Sequence, residues 1–464
     1  MRLIRPISFA VTAAVAVAAC ADSELPTSPS ATAITPAYSP LYSGLSRYTS
    51  FGFEPIIPST GDAACLDRGS IVNDPTNEPF ELPEGYEQFV IGRQSQLTTA
   101  NAEVNFDMLT VNETGPQKGR YLFRTHEVSP FAALSVVDLQ TGQNRLLVER
   151  EDWESFDGLV WTPWGTILMA EEEVVQSFRD PDYPNIERGL VYEFFPATGK
   201  VVARPAIGAR SHEGLRFDKQ GNLYGISESR GIQNAGQPGQ SGAIFKFVPN
   251  RRGDLSSGKL YALKVESGRE GLARWVKLDV DPVTFDSDAA AQAVGATGWD
   301  RPEDVTFGPS VRKSGKDVQV LYVAVTESSD RAVNSGLVLK IETYGDYANV
   351  SNYVLPGVNV DNEVTNPFAT DAGTGFDDPD NLAMGPNGEL YITEDDSPSD
   401  IWVATGSGPM AGKVELFARL RDCGAESTGV YFSPDGKTLF VNSQHAALNG
   451  GDDLTIAIRR KHGR

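Results

Sequence analysis

The chain has 464 residues, 40 % hydrophobic and 9 % aromatic, which permits a large core and excludes a disordered or fibrous protein. Its 62 acidic residues against 40 Lys and Arg leave a net charge of −22, which argues against a nucleic-acid partner and suits cations. Three Cys and four His, widely spaced, make neither a disulfide framework nor a Cys-based zinc site. A multi-metal site must then be mainly oxygen-ligated, which favours calcium, magnesium or ferric iron over zinc.

Residues 1–20 predict an export signal. Arg2 and Arg5 supply a short positive region, and residues 7–19 are apolar but too short to span a bilayer comfortably. The stretch ends in Val17-Ala18-Ala19-Cys20, which resembles the lipobox of bacterial lipoproteins, with Cys20 as the lipidated residue. A plain secretory signal with an incidental Cys is the alternative. Residues 21–60, rich in Ser, Thr, Pro and Ala, predict a flexible tether, and 61–464 a single domain. No later stretch is apolar enough to span a membrane. The expected product is a monomeric body in the bacterial cell envelope, periplasmic or outer-surface, touching the membrane through its N-terminal lipid alone.

From about residue 85, short β patterns and Gly or Asn/Asp turn signals dominate. The best helical candidate is 288–294. Five segments share one plan, beginning at Phe156, Ser211, Arg301, Asp378 and Glu426, and a sixth, weaker copy ends at Tyr121-Leu122-Phe123-Arg124-Thr125-His126-Glu127. Each has an acid, an alternating strand, a Gly turn such as Asn387-Gly388 or Asp435-Gly436, and a second strand that runs out into polar residues. One longer interval carries an insertion around residues 251–291. Six such units predict an all-β, six-bladed β-propeller.

A tight hairpin returns its second strand to the level where the first began. The acids opening the first strands (Asp157, Glu213, Glu303, Asp380) and those closing the second (Glu127, Glu172, Glu228, Asp395) should therefore meet at one end of the channel. Thr326 and Gln444 hold the closing position in the other two units. Unpaired, so many carboxylates raise one another's pKa and resist burial, a cost that bound cations remove.

At these residues the sequence resembles the PhoX family of secreted bacterial alkaline phosphatases. The matching motifs are Thr125-His126-Glu127, Thr162-Pro163-Trp164-Gly165-Thr166, Glu171-Glu172, His212-Glu213-Gly214, Arg301-Pro302-Glu303, Asp378-Pro379-Asp380-Asn381-Leu382, and Phe432-Ser433-Pro434-Asp435-Gly436 followed by Phe440-Val441-Asn442-Ser443-Gln444-His445. The resemblance implies a propeller whose axial site holds calcium and ferric ions and hydrolyses phosphate monoesters. It implies metal ligands at Glu213 and Glu303, paired acids at Glu171 and Glu172, and a phosphate-clasping Arg301, whose planar fork can donate two hydrogen bonds. Glu127, Glu228 and Asp380 complete the expected metal set. His126, His212 and His445 adjoin acids, and His212 is taken as the candidate general acid. The iron-binding Cys of the family is here Ala170, which weakens the case for iron and leaves several calcium ions as the expected cofactor.

The expected function is a metal-dependent hydrolase of small phosphate esters. The alternatives are a calcium-dependent lactonase or esterase-type propeller and a non-catalytic calcium-binding surface propeller. Cys65 follows the tether and Cys423 precedes the last hairpin, so export to an oxidising compartment predicts a Cys65–Cys423 bond fastening the ring.

Overall fold

The computed structural model describes residues 53, 55–56, 77–172, 179–186, 188–229, 242–279, 286–326, 336–356, 376–395, 399–406, 411–422, 424–446 and 451–461, all within one compact unit spanning 34–464. The expected signal, Cys20 lipidation and Cys65–Cys423 bond fall outside the described residues. Among the described residues, no helix is long and apolar enough to cross a membrane.

The alternating segments form strands, as their period-2 pattern requires. The turn glycines Gly388 and Gly436 adopt φ of 86° and 69°, a left-handed backbone that L side chains resist. The innermost strands are Phe106–Val111, Phe156–Trp161, His212–Phe217, Pro302–Lys313, Pro379–Met384 and Glu426–Phe432. Each abuts the next in chain order, and the last abuts the first. The result is an all-β, propeller-like ring with its apolar core between successive sheets. One α-helix, Ser287–Ala293, lies where the sequence predicts it, capped by Asp286.

The strands group into five sheets rather than six separate blades. The expected insertion is the cause. It adds the long strand Asp254–Val265 and the strand Gly271–Lys277, which pairs edge to edge with Tyr347–Val354 of the following unit. Two repeat units are thereby fused into one ten-stranded sheet.

The ring closes by strand exchange between the chain ends. Tyr86–Arg93 forms the outer strand of the last sheet, antiparallel to Leu454–Arg460, and Phe80–Glu81 pairs with Val414–Leu420. Within the stretch expected as tether, Phe53 is buried with its ring 5.2 Å from that of Phe417, and the Ile56 N–H donates to the Leu416 carbonyl. Part of the tether is thus docked, because Phe53 fills an apolar gap that solvent would otherwise enter.

Candidate metal centre

One backbone device recurs at the same end of the ring. In five units the register slips just after the first residue of the inner strand, between Phe106 and Leu109, Phe156 and Leu159, His212 and Leu215, Pro302 and Val305, and Pro379 and Leu382. Asp107, Asp157, Glu213, Glu303 and Asp380 each sit in such a β-bulge, a feature that re-aims a side chain. The residue before each strand accepts a backbone hydrogen bond from the closing residue: Glu127 to Asn105, Glu172 to Ser155, Glu228 to Ser211, Thr326 to Arg301 and Asp395 to Asp378, at 2.9–3.1 Å. Openers and closers are therefore fixed at one level. The openers are buried, the acidic closers Glu127, Glu172, Glu228 and Asp395 are half-buried, and Thr326 is buried.

The carboxylates are close enough to perturb one another. Glu172, Glu213 and Glu228 can place ligand oxygens within 4.8 Å of each other. Burial, then the neighbouring acids, push Asp107, Glu172, Glu213, Asp380 and Glu426 well above the usual carboxylate range. Glu127 is raised to about 7 and Asp157 to about 6, again first by burial. Gln444, at the closing position of the sixth unit, donates to Glu127 Oε2 at 2.5 Å. Among the described residues, none donates a hydrogen bond to the buried Asp157 Oδ1 or Glu213 Oε2. Buried acceptors left so are costly unless a cation meets them, and oxygen-only donors of this density suit a hard cation.

Arg301 lies among these acids. Its Nε donates to Glu228 at 2.5 Å and its Nη1 to Asp395 at 2.6 Å, while Nη2 is 3.1 Å from Glu303. Burial alone would lower its pKa, but Glu303, Asp395 and Glu228 outweigh that and raise it above the ordinary value, so the guanidinium stays charged. Its backbone is left-handed, φ 49°, as are Asn105, Ser155 and Asp378 at the equivalent positions. Asn and Asp tolerate that region, whereas a bulky Arg is strained there.

Glu127, Glu172, Glu213, Glu228, Glu303, Asp380 and Arg301 thus lie together at one end of the ring, and Glu171 and His212 lie apart from them. Glu171 is the last residue of the strand Ile167–Glu171, and its carboxylate is turned to the neighbouring backbone rather than to the acids that Glu172 joins. Both Glu171 oxygens accept backbone amides, from Glu154 at 3.3 Å and Leu190 at 2.9 Å, which makes Glu171 a clasp between neighbouring segments. Glu394, before Asp395, does the same for Asp377 and Asp400. His212 precedes Glu213 and likewise turns away from the acids. It is fully buried with Nε2 3.1 Å from the Gly208 carbonyl, and burial, then Arg210, lower its pKa well below the usual value. That dry, neutral ring is not placed as a general acid for the channel. His126 is similarly buried, with Nε2 2.8 Å from Ser135 Oγ.

The sequence reading missed three channel acids. Asp107 opens the first unit, but its hairpin connection over residues 112–120 is long and hides the repeat. Glu426 stands two residues before Thr428, which takes the opening position and donates from Oγ1 to the Phe106 carbonyl. Asp304 is fully buried below the acids and pairs with Arg216 at 3.2 Å. Beyond that pair the far end of the channel widens into a cavity of about 760 Å³, lined by Trp161, Met384 and Tyr431 among others.

Comparison with known proteins places this geometry. No curated protein matches the chain. Among solved structures, hydrazine synthase from Kuenenia stuttgartiensis is 13 % identical with a TM-score of 0.39, covering 78 % of this chain and 97 % of that one. A putative 6-phosphogluconolactonase from Bacteroides fragilis is 13 % identical with a TM-score of 0.36, covering 74 % and 89 %. The PQQ-bound aldose sugar dehydrogenase from Streptomyces coelicolor is 12 % identical with a TM-score of 0.30, covering 66 % and 94 %. A family model described as alkaline phosphatase PhoX matches residues 160–447, more than half the chain, from the second inner strand to beyond the last hairpin. With its acids and Arg301 set at one end of a propeller-like ring, this chain belongs to the PhoX alkaline phosphatase family.

Proposed function

We propose that the protein is a metal-dependent hydrolase of phosphate esters, built as a six-bladed propeller in which two blades share one sheet. The observation that carries this reading is the meeting of carboxylates from every repeat unit at one end of the ring, three of them on the Arg301 guanidinium. Glu172, Glu213 and Glu228 would hold one cation, with Asp107, Asp157, Glu303 and Asp380 available to others. Calcium is the favoured ion, since all donors here are oxygens and Ala170, fully buried, contributes none. A bound cation supplies charge compensation for the phosphoryl oxygens during transfer.

The chain's own residues then have defined tasks. Arg301 clasps phosphate oxygens through its fork, held in direction by its strained backbone and by Asp395. The acids repel a free anionic ester until cations compensate them, so binding depends on metal loading. The guanidinium favours phosphate over a lactone, which has no anionic oxygens to fork. The cell-envelope location and lipid at Cys20 belong to this reading, because calcium is plentiful outside the cytoplasm.

Hydrolysis of p-nitrophenyl phosphate tests it. The chelated protein should be inactive and should regain turnover with calcium. Turnover that ignores chelation, or calcium-loaded protein with no phosphate-ester hydrolysis but lactone opening, overturns the proposal. Stoichiometric iron in elemental analysis would reject calcium as the sole ion.

A further inference from the structure

The ten-stranded sheet ends in an unusual patch. In its fourth-unit half, Pro302 and Val325 pair at the acid end, whereas Lys313 and Lys316, and next to them Tyr344 and Tyr347, pair at the opposite end. At that far end Tyr344 is 43 % exposed, Tyr347 63 % and Leu272 65 %. The two Tyr rings lie 6.0 Å apart. Tyr347 stands cross-strand from Arg274, and Leu272, two residues earlier, is on the same face as Arg274. Apart from Phe89 on another sheet, these are the large hydrophobic side chains left exposed among the described residues.

Basic groups surround them. Lys316 Nζ sits 4.8 Å from the Tyr344 ring centroid, and Lys246 Nζ donates to the Gly345 carbonyl at 3.2 Å. Arg312, Lys313 and Arg274 complete the group; Arg312 lies cross-strand from Asp317 and Lys313 pairs with Glu342, while Asp346 at the Tyr turn and Glu266 and Glu270 beside Leu272 are the other acids along this face. Clustering cations and exposed Tyr and Leu in a chain of net charge −22 does not serve solubility. Tyr rings prefer the level of lipid headgroups, and Lys and Arg are drawn to anionic lipid.

We propose that this face docks on an anionic bilayer, which turns the acid-lined mouth away from the membrane and toward solvent. The proposal stands on exposure and charge placement, independently of the catalytic reading and of the Cys20 lipid.

Amide hydrogen exchange on the full chain, mixed with phosphatidylglycerol vesicles or with phosphatidylcholine vesicles, tests it. Any N-terminal attachment is common to both. The expected result is slowed exchange at residues 312–317 and 344–347 on phosphatidylglycerol alone, reversed by high salt and absent from the Tyr344→Ser/Tyr347→Ser variant. Lys316→Glu should weaken vesicle affinity about five-fold or more. Equal exchange on both vesicles overturns the proposal. So does protection that needs no vesicle and grows with protein concentration, which would assign the face to a second copy. Protection by soluble polyglutamate but not by vesicles overturns it in favour of an acidic polymer.

Discussion

At Arg301 local backbone preference and site chemistry conflict openly. The equivalent residues Asn105, Ser155 and Asp378 have short polar side chains, two of them of the kind that tolerates a left-handed backbone. A long side chain there costs about 1 kcal/mol of strain, which the three surrounding carboxylates offset. Lysine would keep the charge and the strain but lose the fork, since a point charge cannot bond Glu228, Asp395 and a phosphate in one plane. Arg301→Lys should therefore lower kcat/KM for p-nitrophenyl phosphate by on the order of 10²-fold. Metal content by elemental analysis should stay unchanged. A variant that keeps its rate would remove Arg301 from the substrate site, and one that loses metal would make it a prop for the ligands. The sequence exposed this residue through its motif, because Arg301-Pro302-Glu303 is contiguous. It concealed Asp107 and Glu426, whose roles depend on which residue a hairpin turn brings level with which. It misplaced Glu171 and His212 because each directly precedes a channel acid, and the structure holds their side chains elsewhere, Glu171 on the Glu154 and Leu190 amides and His212 against the Gly208 carbonyl.

At the scale of elements, glycine placement decides how closely the inner strands approach. Gly214 follows the channel acid Glu213, and a Cβ there would lie 1.9 Å from Asp304 Oδ1 and 2.7 Å from the Asp304 Cα of the next strand. Asp304 cannot retreat, because it accepts from the amides of Val305 and Leu382 and pairs with Arg216. Gly158 and Gly429 meet neighbouring backbone at 2.4 and 2.3 Å in the same way. Gly214→Ala should thus destabilise the fold by about 2 kcal/mol or more, with the loss read as a lower midpoint in urea unfolding. An unchanged midpoint would mean that the strands can separate without cost. The hairpins themselves were legible, since alternation and turn glycines are local signals. The fusion of two units was not, because the pairing of Gly271–Lys277 with Tyr347–Val354 joins segments distant in sequence, neither of which carries a mark of its partner.

For the whole molecule, the question is how a ring tolerates acids from all its units at one end. Without metal it must keep protons on them. Glu127 at about 7 and Asp157 at about 6 compare with an unfolded value near 4, and burial also raises Asp107, Glu213 and Asp380 well above the ordinary carboxylate range. The sign follows from proton counting. Below about pH 4 both states hold these protons, and the contribution to stability is complete. As pH rises from there, the unfolded chain gives its protons up first, so the folded state loses stability until the native groups have ionised, near pH 7 for Glu127. Calcium reverses the trend, because it binds the ionised ring and so gains affinity over the same window. At a hundredfold excess over its dissociation constant it adds about 2.7 kcal/mol, a rise of a few degrees in melting temperature for a chain of this size. Thermal melts at pH 5 and pH 8, with chelator and with calcium, measure this directly. The chelated protein should melt lower at pH 8 than at pH 5, and the increment from calcium should be wide at pH 8 and narrow at pH 5. An increment independent of pH would place calcium away from these acids, and its absence at both pH values would mean that the converging carboxylates are held by Arg301 and shared protons alone.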